Sequence, residues 1–572
     1  MPARKSVKVK EIKLLNWRVT GVLLFAFIIF IPSLENNFVN WDDIGYVMSN
    51  DMITSFSWLN FKKIFSTYFM GNYHPFTMIS LAIDYSFFRF SAPGYHFHCL
   101  MIHLINTLLV YIFFFKLLKK NVNIAVFVSL LFAIHPLHVE SVAWVSERKD
   151  LLYAFYFFLG LIAYLHYLDK QTWLLYTVTL LLFIFALLSK AQAVTFPLVL
   201  ILIDYFYFRR FTWRIILEKV PFFIFSIFFG IVAIFAQRDS NYINPLNIPF
   251  WQSIMYAQYS LWIYLWKFFF PVNMTSLYEY PFSDFGALPL NIYFSPVVVL
   301  ILIYVLWKTW KEYPLIAFGL LFFLATIFPV LQFLPVGKAI VAERYTYIPY
   351  IGLSVAVVDM FFKLRIRWGQ RIENVLGIAG IAIIVFYSVQ TWNRSKVWKD
   401  SISLWTDVLE KNPESVTAYM NRAFLYNMEK QYEKAIEECT TCLEYDSTNS
   451  LVYKNRAIAN NNIGNYENAL SDYNRAILFD PNDNDLYLYR GIIYTDKLKQ
   501  FDSGIVDFKK FLTHSPNNEN VNFNLIVAYF NKQNYDSAKT YCLRVLKINP
   551  ENSQARNLLA RIDTLAHEKN PR

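Results

Sequence analysis

The stretch NVLGIAGIAIIVFYSVQTWNRSKVWKDSISLWTDVLEKNP, residues 374–413, contains the point at which the composition of the chain changes. Before it, long apolar runs alternate with short basic loops. After it, the sequence is polar and rich in Asn, Tyr, Lys and Glu, and no apolar run is longer than a buried helix. This division predicts a membrane-embedded part followed by a water-exposed part. We place the boundary so that the two domains are 1–391 and 392–572.

The first domain carries apolar runs whose length matches the thickness of a bilayer. A helix needs about 20 mostly apolar residues to cross the hydrocarbon core. The run at 251–271 is also apolar, but its Lys267 and its Trp and Tyr residues favour an interfacial or re-entrant helix. The remaining runs predict an all-α membrane bundle of about 11 spans, at 17–33, 97–116, 122–137, 150–168, 173–189, 193–208, 221–237, 294–310, 314–331, 346–362 and 374–391.

Basic loops predict which side of the membrane each loop faces, because cytoplasmic loops are enriched in Lys and Arg. The chain begins with a basic stretch, residues 4–13, and no cleavage site follows its first span. The N-terminus is therefore predicted to be cytoplasmic and residues 392–572 extracytoplasmic, in a periplasm or lumen. Much of the net charge of +11 lies in such loops, so it does not indicate nucleic acid. The inside sets are Lys116, Lys119 and Lys120; Arg209, Arg210, Arg214 and Lys219; Lys308 and Lys311; and Lys363, Arg365, Arg367 and Arg371.

Two adjacent acids, Asp42 and Asp43, follow the first span within NFVNWDDIGYV, residues 37–47. Carboxylates at a membrane surface are costly to desolvate and tend to mark chemistry or ion handling. Basic residues on the same outer side oppose the orientation rule, so we interpret them as partners of an anionic ligand such as a phosphate. Snorkelling from helix ends is the alternative for each one. The outer charges are Glu140, Glu147, Arg148, Lys149, Asp150, Lys190, Lys338, Glu343 and Arg344.

Histidines near these charges are further candidates for the site. His135 and His138 lie in HPLHVES, and His74 lies in NYHPF. A His-x-x-His pair can hold a metal ion on one face of a helix. However, Pro136 and Pro75 break the helix beside these histidines, and no further His or Cys nearby completes a ligand set. We therefore predict no metal or other cofactor and assign the three histidines to polar contacts with the acids or the ligand.

The second domain contains an internal repeat. Turn positions recur every 34 or 35 residues, at Pro413, Ser447, Pro481, Pro516 and Pro550. The second helix of each unit pairs an aromatic residue with a small one, at Tyr432 and Ala435, Tyr466 and Ala469, Phe501 and Gly504, and Tyr535 and Ala538. This period and pattern resemble tetratricopeptide (TPR) repeats, in which small residues let paired helices pack closely. We predict about four full repeats with partial units at both ends, forming an α-solenoid whose groove binds polypeptide.

The order of the motifs resembles that of the transmembrane and TPR-containing protein O-mannosyltransferases, which belong to the GT-C class of polyprenyl-phosphate-sugar glycosyltransferases. The resemblance implies a GT-C-like bundle, a lipid-linked sugar donor, mannose as a candidate sugar, and Asp42 as the base. The residues themselves leave Asp42 and Asp43 as alternatives. The motifs are FVNWDD (38–43), HPFT (74–77), HPLHVESVAWVSERKDLL (135–152), LLSKAQAVTFPLVLILID (187–204) and VAERYTYIPYIG (341–352).

The predicted reaction is an inverting transfer of a sugar to a Ser or Thr hydroxyl of a protein. One acid of the pair would take the hydroxyl proton as general base, while the basic residues would stabilise the leaving phosphate. We assign catalysis to Asp42 and Asp43. We assign substrate binding to His74, His135, His138, Glu140, Arg148, Lys190, Lys338, Glu343 and Arg344. The expected partners are the polyprenyl-phosphate-linked donor, a protein or peptide in the TPR groove, and membrane lipids.

Three alternative functions use the same sequence features. A transferase could act on a lipid-linked or envelope glycan, although TPR repeats favour a polypeptide. A non-enzymatic, membrane-anchored TPR scaffold would need one or two spans, so about eleven spans disfavour it. A transporter would carry its ionisable groups near the middle of the spans, whereas here they gather at the outer ends.

Overall fold

The computed structural model describes residues 16–207, 209, 212–281 and 288–569. The basic stretch 4–13 and Arg210, which were used above to orient the chain, lie outside the described residues. The chain forms two compact units, Met1–Asp407 and Val408–Arg572. The division falls sixteen residues after the expected boundary at 391, because Trp398 and Leu404 belong to the hydrophobic core of the first unit.

The first unit is built from helices and, within the described residues, a single two-stranded antiparallel sheet formed by β1 (Tyr278–Glu279) and β2 (Ala339–Val341). A seventeenth helix, α17 (Ser401–Lys411), crosses the division into the second unit. The helices that precede it are α1 (Trp17–Ile29), α2 (Trp58–Ser66), α3 (Pro75–Phe88), α4 (Ala92–Leu117), α5 (Val122–Ile134), α6 (Val139–Ala143), α7 (Arg148–Lys170), α8 (Trp173–Leu187), α9 (Phe196–Phe206), α10 (Trp213–Asp239), α11 (Phe250–Phe269), α12 (Leu290–Tyr293), α13 (Ser295–Glu312), α14 (Pro314–Ile327), α15 (Pro349–Trp368) and α16 (Gln370–Val397).

Several of these helices could cross a membrane. Within the described residues, five are long and apolar enough, and a sixth candidate is α5 with the segment Pro136–Ala143, bent by 56°. Shorter apolar helices overlap four further predicted spans, at Trp17–Ile29, Trp173–Leu187, Ala191–Phe206 and Pro314–Val330. The predicted helical character of this unit is confirmed, with the strand pair as an addition, and the number of about 11 crossings stays a prediction. The five long candidates are Ala92–Leu117, Val145–Lys170, Trp213–Asp239, Leu290–Glu312 and Ile372–Val397.

Proline and glycine shape the bundle at two places. Pro136 follows the end of α5, where its ring cannot continue an α-helix, and the chain turns through Pro136–His138 into the short α6. This turn brings Glu140 to the end of the bundle at which α7 begins. Gly319 in the middle of α14 and Gly352 in the first turn of α15 let the two backbones meet, since a Cβ on either glycine would lie 2.4 Å from the carbonyl oxygen of the other.

The second unit consists of helix pairs with the period that the sequence predicts. Its first helices begin at N-caps whose side chains accept from backbone N–H groups, at Ser415, Asn449, Asp483 and Asn518. A Cβ on Gly504 would lie 3.0 Å from the carbonyl oxygen of Gly491, so the predicted close packing at a small residue is confirmed. The helices are α18 (Val416–Met428), α19 (Tyr432–Tyr445), α20 (Ser450–Asn462), α21 (Tyr466–Phe479), α22 (Asn484–Ile492), α23 (Phe501–Leu512), α24 (Glu519–Asn531), α25 (Tyr535–Ile548) and α26 (Ser553–Lys569).

Candidate active site

The two adjacent acids have different environments. Asp43 is buried, and its carboxylate accepts hydrogen bonds from the N–H of Val39 at 3.0 Å and from the N–H of Ser146 at 2.9 Å. The Ser146 hydroxyl donates a third bond to the same carboxylate. Burial raises the pKa of Asp43 to about 6, against the lowering effect of these hydrogen bonds. Asp43 therefore fastens the 39–43 loop to the turn before α7, and its oxygens are already occupied.

Asp42 is the free member of the pair. Its side chain is partly exposed and forms no hydrogen bond or ion pair with any described residue. Burial raises the pKa of Asp42, and the positive charges of Lys149 and Arg344 oppose this shift, while Glu147 adds to it. Asp42 thus lies within electrostatic range of both basic residues, with its carboxylate available to a ligand.

A network of alternating charges surrounds this position. Arg344 donates from Nη1 to Glu140 at 2.5 Å and forms an ion pair from Nε to Glu147 at 3.1 Å. Lys149 pairs with Glu147 at 3.0 Å, and Lys190 pairs with Glu147 at 3.4 Å. Glu140 also accepts from the backbone N–H of Arg344 at 2.9 Å. The acids hold the three cations in place, because Arg344 contacts both Glu140 and Glu147, and Lys149 and Lys190 share Glu147.

Lys190 and His74 open onto a cavity beside the network. Lys190 also donates to Asp150 at 2.6 Å. His74 is buried, and neither of its ring nitrogens has a hydrogen-bond partner among the described residues. Burial lowers the pKa of His74 to about 3, so its ring is neutral and offers one donor and one acceptor. Together with Lys149 and Ser189, these side chains line a cavity of about 60 Å³.

The cavity continues into a longer groove. Lys190, Asn72 and Gln237 line both spaces, and the groove adds about 360 Å³. Its other walls are mainly apolar and come from α10 and from the segment 329–336. A groove with a lysine at one end and apolar walls beyond it matches an amphiphile with an anionic head and a hydrocarbon tail.

Glu343 forms a second ionic group next to the first. Arg394 on α16 donates from Nε to Glu343 at 3.1 Å and from Nη1 to Asp407 at 2.8 Å. The Tyr278 hydroxyl donates to Glu343 at 2.8 Å. Burial raises the pKa of Glu343, and Arg394 opposes the rise. Glu343 thus anchors the motif that carries Arg344, with both of its oxygens engaged.

Four predicted binding residues lie apart from the network. Arg148 is fully buried, where it pairs with Asp84 and donates to the carbonyl of Tyr95 at 3.0 Å. His135 and His138 are packed among aromatic rings, and their nitrogens approach the carbonyl oxygens of Phe268 and Phe132. Lys338 is exposed and forms no hydrogen bond or ion pair with a described residue. The structure therefore brings together Asp42, His74, Glu140, Lys190 and Arg344, with Glu343 adjoining.

Some site residues could not be found from the sequence. Ser146, Tyr278 and Arg394 occupy unremarkable positions, and only the fold brings each one to an acid. Arg394 carries the one usable signal, a basic residue shortly after the last predicted span. No group of three or more His, Cys, Asp or Glu in the described part of the chain is arranged to hold a metal ion.

Apolar helices long enough to cross a bilayer, followed by a helical repeat, define a membrane protein that carries tetratricopeptide repeats. Two family models described as "Tetratricopeptide repeat" match residues 416–449 and 497–562. The crystal structure of MamA protein matches 27% of this chain and 84% of its own, with 23% identity and a TM-score of 0.25. That of YrrB, a TPR protein, matches 34% and 96%, with 18% identity and a TM-score of 0.26.

The chain is similar in sequence to proteins named protein O-mannosyl-transferases, which confirms the resemblance stated above. It is 26% identical over 436 residues to protein O-mannosyl-transferase F38B6.6 of Caenorhabditis elegans, covering 70% of this chain and 58% of that protein. It is 26% identical to Tmtc1 of Drosophila melanogaster over 31% of this chain, and 26% identical to human TMTC3 over 33%. It spans 21% of the length of each of these two.

Proposed function

We propose that this protein transfers a sugar from a polyprenyl-phosphate donor to Ser or Thr hydroxyls of a polypeptide, with inversion at the sugar carbon. The observation that carries the proposal is the Asp42 carboxylate, which pairs with none of the described residues and lies within electrostatic range of Lys149 and Arg344. Lys149 also lines the cavity that leads to the apolar groove. The similarity to proteins named O-mannosyl-transferases supports mannose as the sugar.

The groove fits the donor. A polyprenyl phosphate has an apolar tail and a charged head, and the groove places Lys190 at the end of a mainly apolar wall. The ammonium group of Lys190 has three N–H donors. Two of its contacts are with Glu147 and Asp150, which leaves a third donor for the head group. His74 offers both ring nitrogens to a sugar hydroxyl or a phosphate oxygen. The head group would therefore bind at Lys149, Lys190 and His74, with the tail along α10.

The chemistry is a direct displacement. The acceptor hydroxyl oxygen attacks the sugar carbon C1 while the bond from C1 to the phosphate oxygen breaks, and Asp42 takes the hydroxyl proton. The negative charge that leaves with polyprenyl phosphate develops next to Lys149, Lys190 and Arg344. These cations are held by Glu140, Glu147 and Asp150 and need not reorganise during the reaction.

The repeats supply the acceptor side of the proposal. Tetratricopeptide superhelices commonly bind polypeptide in their groove, which favours a protein hydroxyl over a glycan as acceptor. For the repeats and Asp42 to act on one substrate they must share a compartment, so we propose a cytoplasmic N-terminus and an extracytoplasmic second unit. Labelling of single cysteines introduced at exposed sites of the second unit, in intact cells, tests this orientation.

The direct test is transfer by the purified, reconstituted protein. The donors would be polyprenyl-phosphate mannose and, separately, a nucleotide-linked mannose. The acceptors would be a Ser/Thr-containing peptide and a lipid-linked glycan, with Asp42→Asn as the control enzyme. We expect mass spectrometry to find sugar on the peptide hydroxyl only with the lipid donor and the unaltered enzyme. Transfer from the nucleotide sugar, or to the glycan alone, would contradict the proposal.

A further inference from the structure

The loop that carries Asp42 is held along its length by the segment that leads to the repeats. Asn36 donates to the carbonyl of Ser395 at 3.1 Å, and the N–H of Asn37 donates to the carbonyl of Lys399 at 2.8 Å. The N–H of Asn40 donates to the Ser401 hydroxyl at 2.8 Å. These contacts join two segments more than 350 residues apart in sequence, and they end two residues before Asp42.

A stack of four tryptophans continues this attachment. Trp41, the residue directly before Asp42, lies with its ring 5.1 Å from Trp405 and 5.3 Å from Trp144, measured between centroids. Trp144 in turn lies 5.3 Å from Trp398. Aromatic rings at these centroid distances attract one another beyond their buried area. The stack also reaches the cationic network, because the guanidinium of Arg344 lies 5.4 Å from the ring of Trp144.

Trp405 differs from the other buried members of the stack. Its indole N–H donates to the side chain of Asn40 at 2.6 Å, whereas Trp144 and Trp398 have no hydrogen-bond partner for theirs among the described residues. Trp405 therefore contacts the loop twice, through its ring at Trp41 and through its indole N–H at Asn40. A ring that is 1% exposed and held at both points has little freedom to move.

We propose that Trp405 is a positioning residue that fixes the backbone at 40–42 and thereby sets where the Asp42 carboxylate stands relative to Arg344 and Lys149. Asp43 clamps the other end of the same loop to Ser146, so Trp405 supplies the second point needed to fix the loop's direction. Trp405 lies on α17, the helix that carries the chain into the second unit. The catalytic consequence rests on the proposed function, whereas the positioning itself does not.

The first experiment reads the position of residue 42 without any catalysis. Asp42→Cys gives a thiol at the site, and the four native cysteines are buried. We expect Trp405→Ala to speed labelling of that thiol by a small methanethiosulfonate at least about fivefold, because the loop opens more often. Trp405→Phe keeps a ring but loses the N–H donor, so it should give a smaller increase. The matched control is Trp392→Phe on α16, a half-buried tryptophan outside the stack, which should leave the rate unchanged.

The second experiment measures transfer by enzymes that retain Asp42. We expect Trp405→Ala to lower kcat about 10- to 100-fold, because small displacements of reacting groups are costly. The donor KM should stay constant, since Trp405 does not line the groove. Because burial raises the pKa of Asp42, water admitted by Trp405→Ala should lower that pKa. The acidic limb of the kcat–pH profile should therefore shift to lower pH. Trp405→Phe should recover part of kcat.

The two experiments separate the failures. Equal labelling rates with and without the Trp405 substitutions overturn the positioning role, whether or not transfer is observed. The positioning role is also overturned if activity falls only in proportion to the amount of folded protein and the acidic limb of the kcat–pH profile does not move. If the unaltered enzyme transfers no sugar but labelling responds to Trp405, the positioning role holds and only the proposed reaction fails. If Trp405→Ala does not fold, Trp405→Phe decides the outcome.

Discussion

Replacing each acid of the pair by its amide should separate a catalytic effect from a structural one. In Asp42→Asn the carboxylate loses no contact with a described residue, so the thermal midpoint should stay within about a degree or two of the parent. The general base is lost, however, and kcat should fall about 10²- to 10⁴-fold. The donor KM should change little, because the cations that would hold the phosphate are untouched.

Asp43→Asn should give the reverse pattern. The Asp43 carboxylate accepts at both oxygens, from Val39 N–H and from Ser146 N–H. An amide has only one acceptor oxygen, so in either orientation its NH₂ group faces one of these donors. A buried donor left unsatisfied costs about 1–3 kcal/mol. We therefore expect a thermal midpoint lower by a few degrees, with the kcat of the folded fraction largely retained.

The pH dependence of the Asp43 effect has a definite sign. The folded-state pKa of Asp43 is raised from 3.8 to about 6, so between these values the folded protein binds more protons than the unfolded chain. The contribution of Asp43 to the free energy of unfolding therefore falls as the pH rises from about 4 to about 6, by up to about 3 kcal/mol. Asp43→Asn removes this slope, so the parent's advantage should be larger at pH 5 than at pH 7.5.

The assay compares both variants with the parent by thermal unfolding in detergent at the two pH values and by initial transfer rates per folded enzyme. The assignment of Asp42 as base is refuted by a full kcat in Asp42→Asn. The structural assignment of Asp43 is refuted if Asp43→Asn keeps its thermal midpoint but loses activity.

Three further predictions concern the donor site, the bundle and the repeats. Lys190→Gln should raise the donor KM about tenfold or more, through loss of charged hydrogen bonds, whereas Lys338→Gln at an exposed position should not. Equal effects of the two substitutions in a donor titration would contradict the assignment of Lys190 to the donor site. Gly319→Ala should destabilise the bundle by about 1–3 kcal/mol, because the new Cβ would lie 2.4 Å from the Gly352 carbonyl oxygen. Gly21 has open space around it, so Gly21→Ala should not alter the thermal midpoint. Arg490 contacts the buried Asp507 at 2.7 and 2.8 Å, so Arg490→Ala leaves a buried carboxylate without its partner and should speed proteolysis of the second unit. Lys539 and Asp563 form an exposed pair, so Lys539→Ala should change the proteolysis rate little.

The sequence predicts the helices well because their signal is local. Apolar length locates spans and a 34-residue period locates repeats without knowledge of any distant contact. The helix α16 (Gln370–Val397) and the predicted span 374–391 agree for this reason, apart from the polar turns at each end. The bend at Pro136 follows equally from the residue itself.

The site was predictable only in part, because adjacent residues on a helix point in different directions. Arg148 and Lys149 were grouped as two outer cations, yet successive side chains on a helix are about 100° apart. The first turn of α7 accordingly sends Arg148 to Asp84 and Lys149 to Glu147. Which of two neighbours reaches the ligand depends on the packing of the helix, and no local pattern records it. The same holds for Asp42 and Asp43, which are distinguished by the hydrogen bonds that Asp43 accepts from Val39 and Ser146.

The charges of the network indicate why the proposed reaction needs no rearrangement of its cations. Asp42 and the donor phosphodiester each carry one negative charge before transfer. Afterwards Asp42 holds the proton of the acceptor and is neutral, while the released phosphate has gained a charge, so the total is constant. Lys149 lies within electrostatic range of Asp42 and also lines the cavity of the head group, and it can attract the charge in both places. The product phosphate is then bound more tightly than the donor, so polyprenyl phosphate should inhibit the enzyme competitively with respect to the donor. Equal affinities of the enzyme for polyprenyl phosphate and for the donor would argue against this charge transfer.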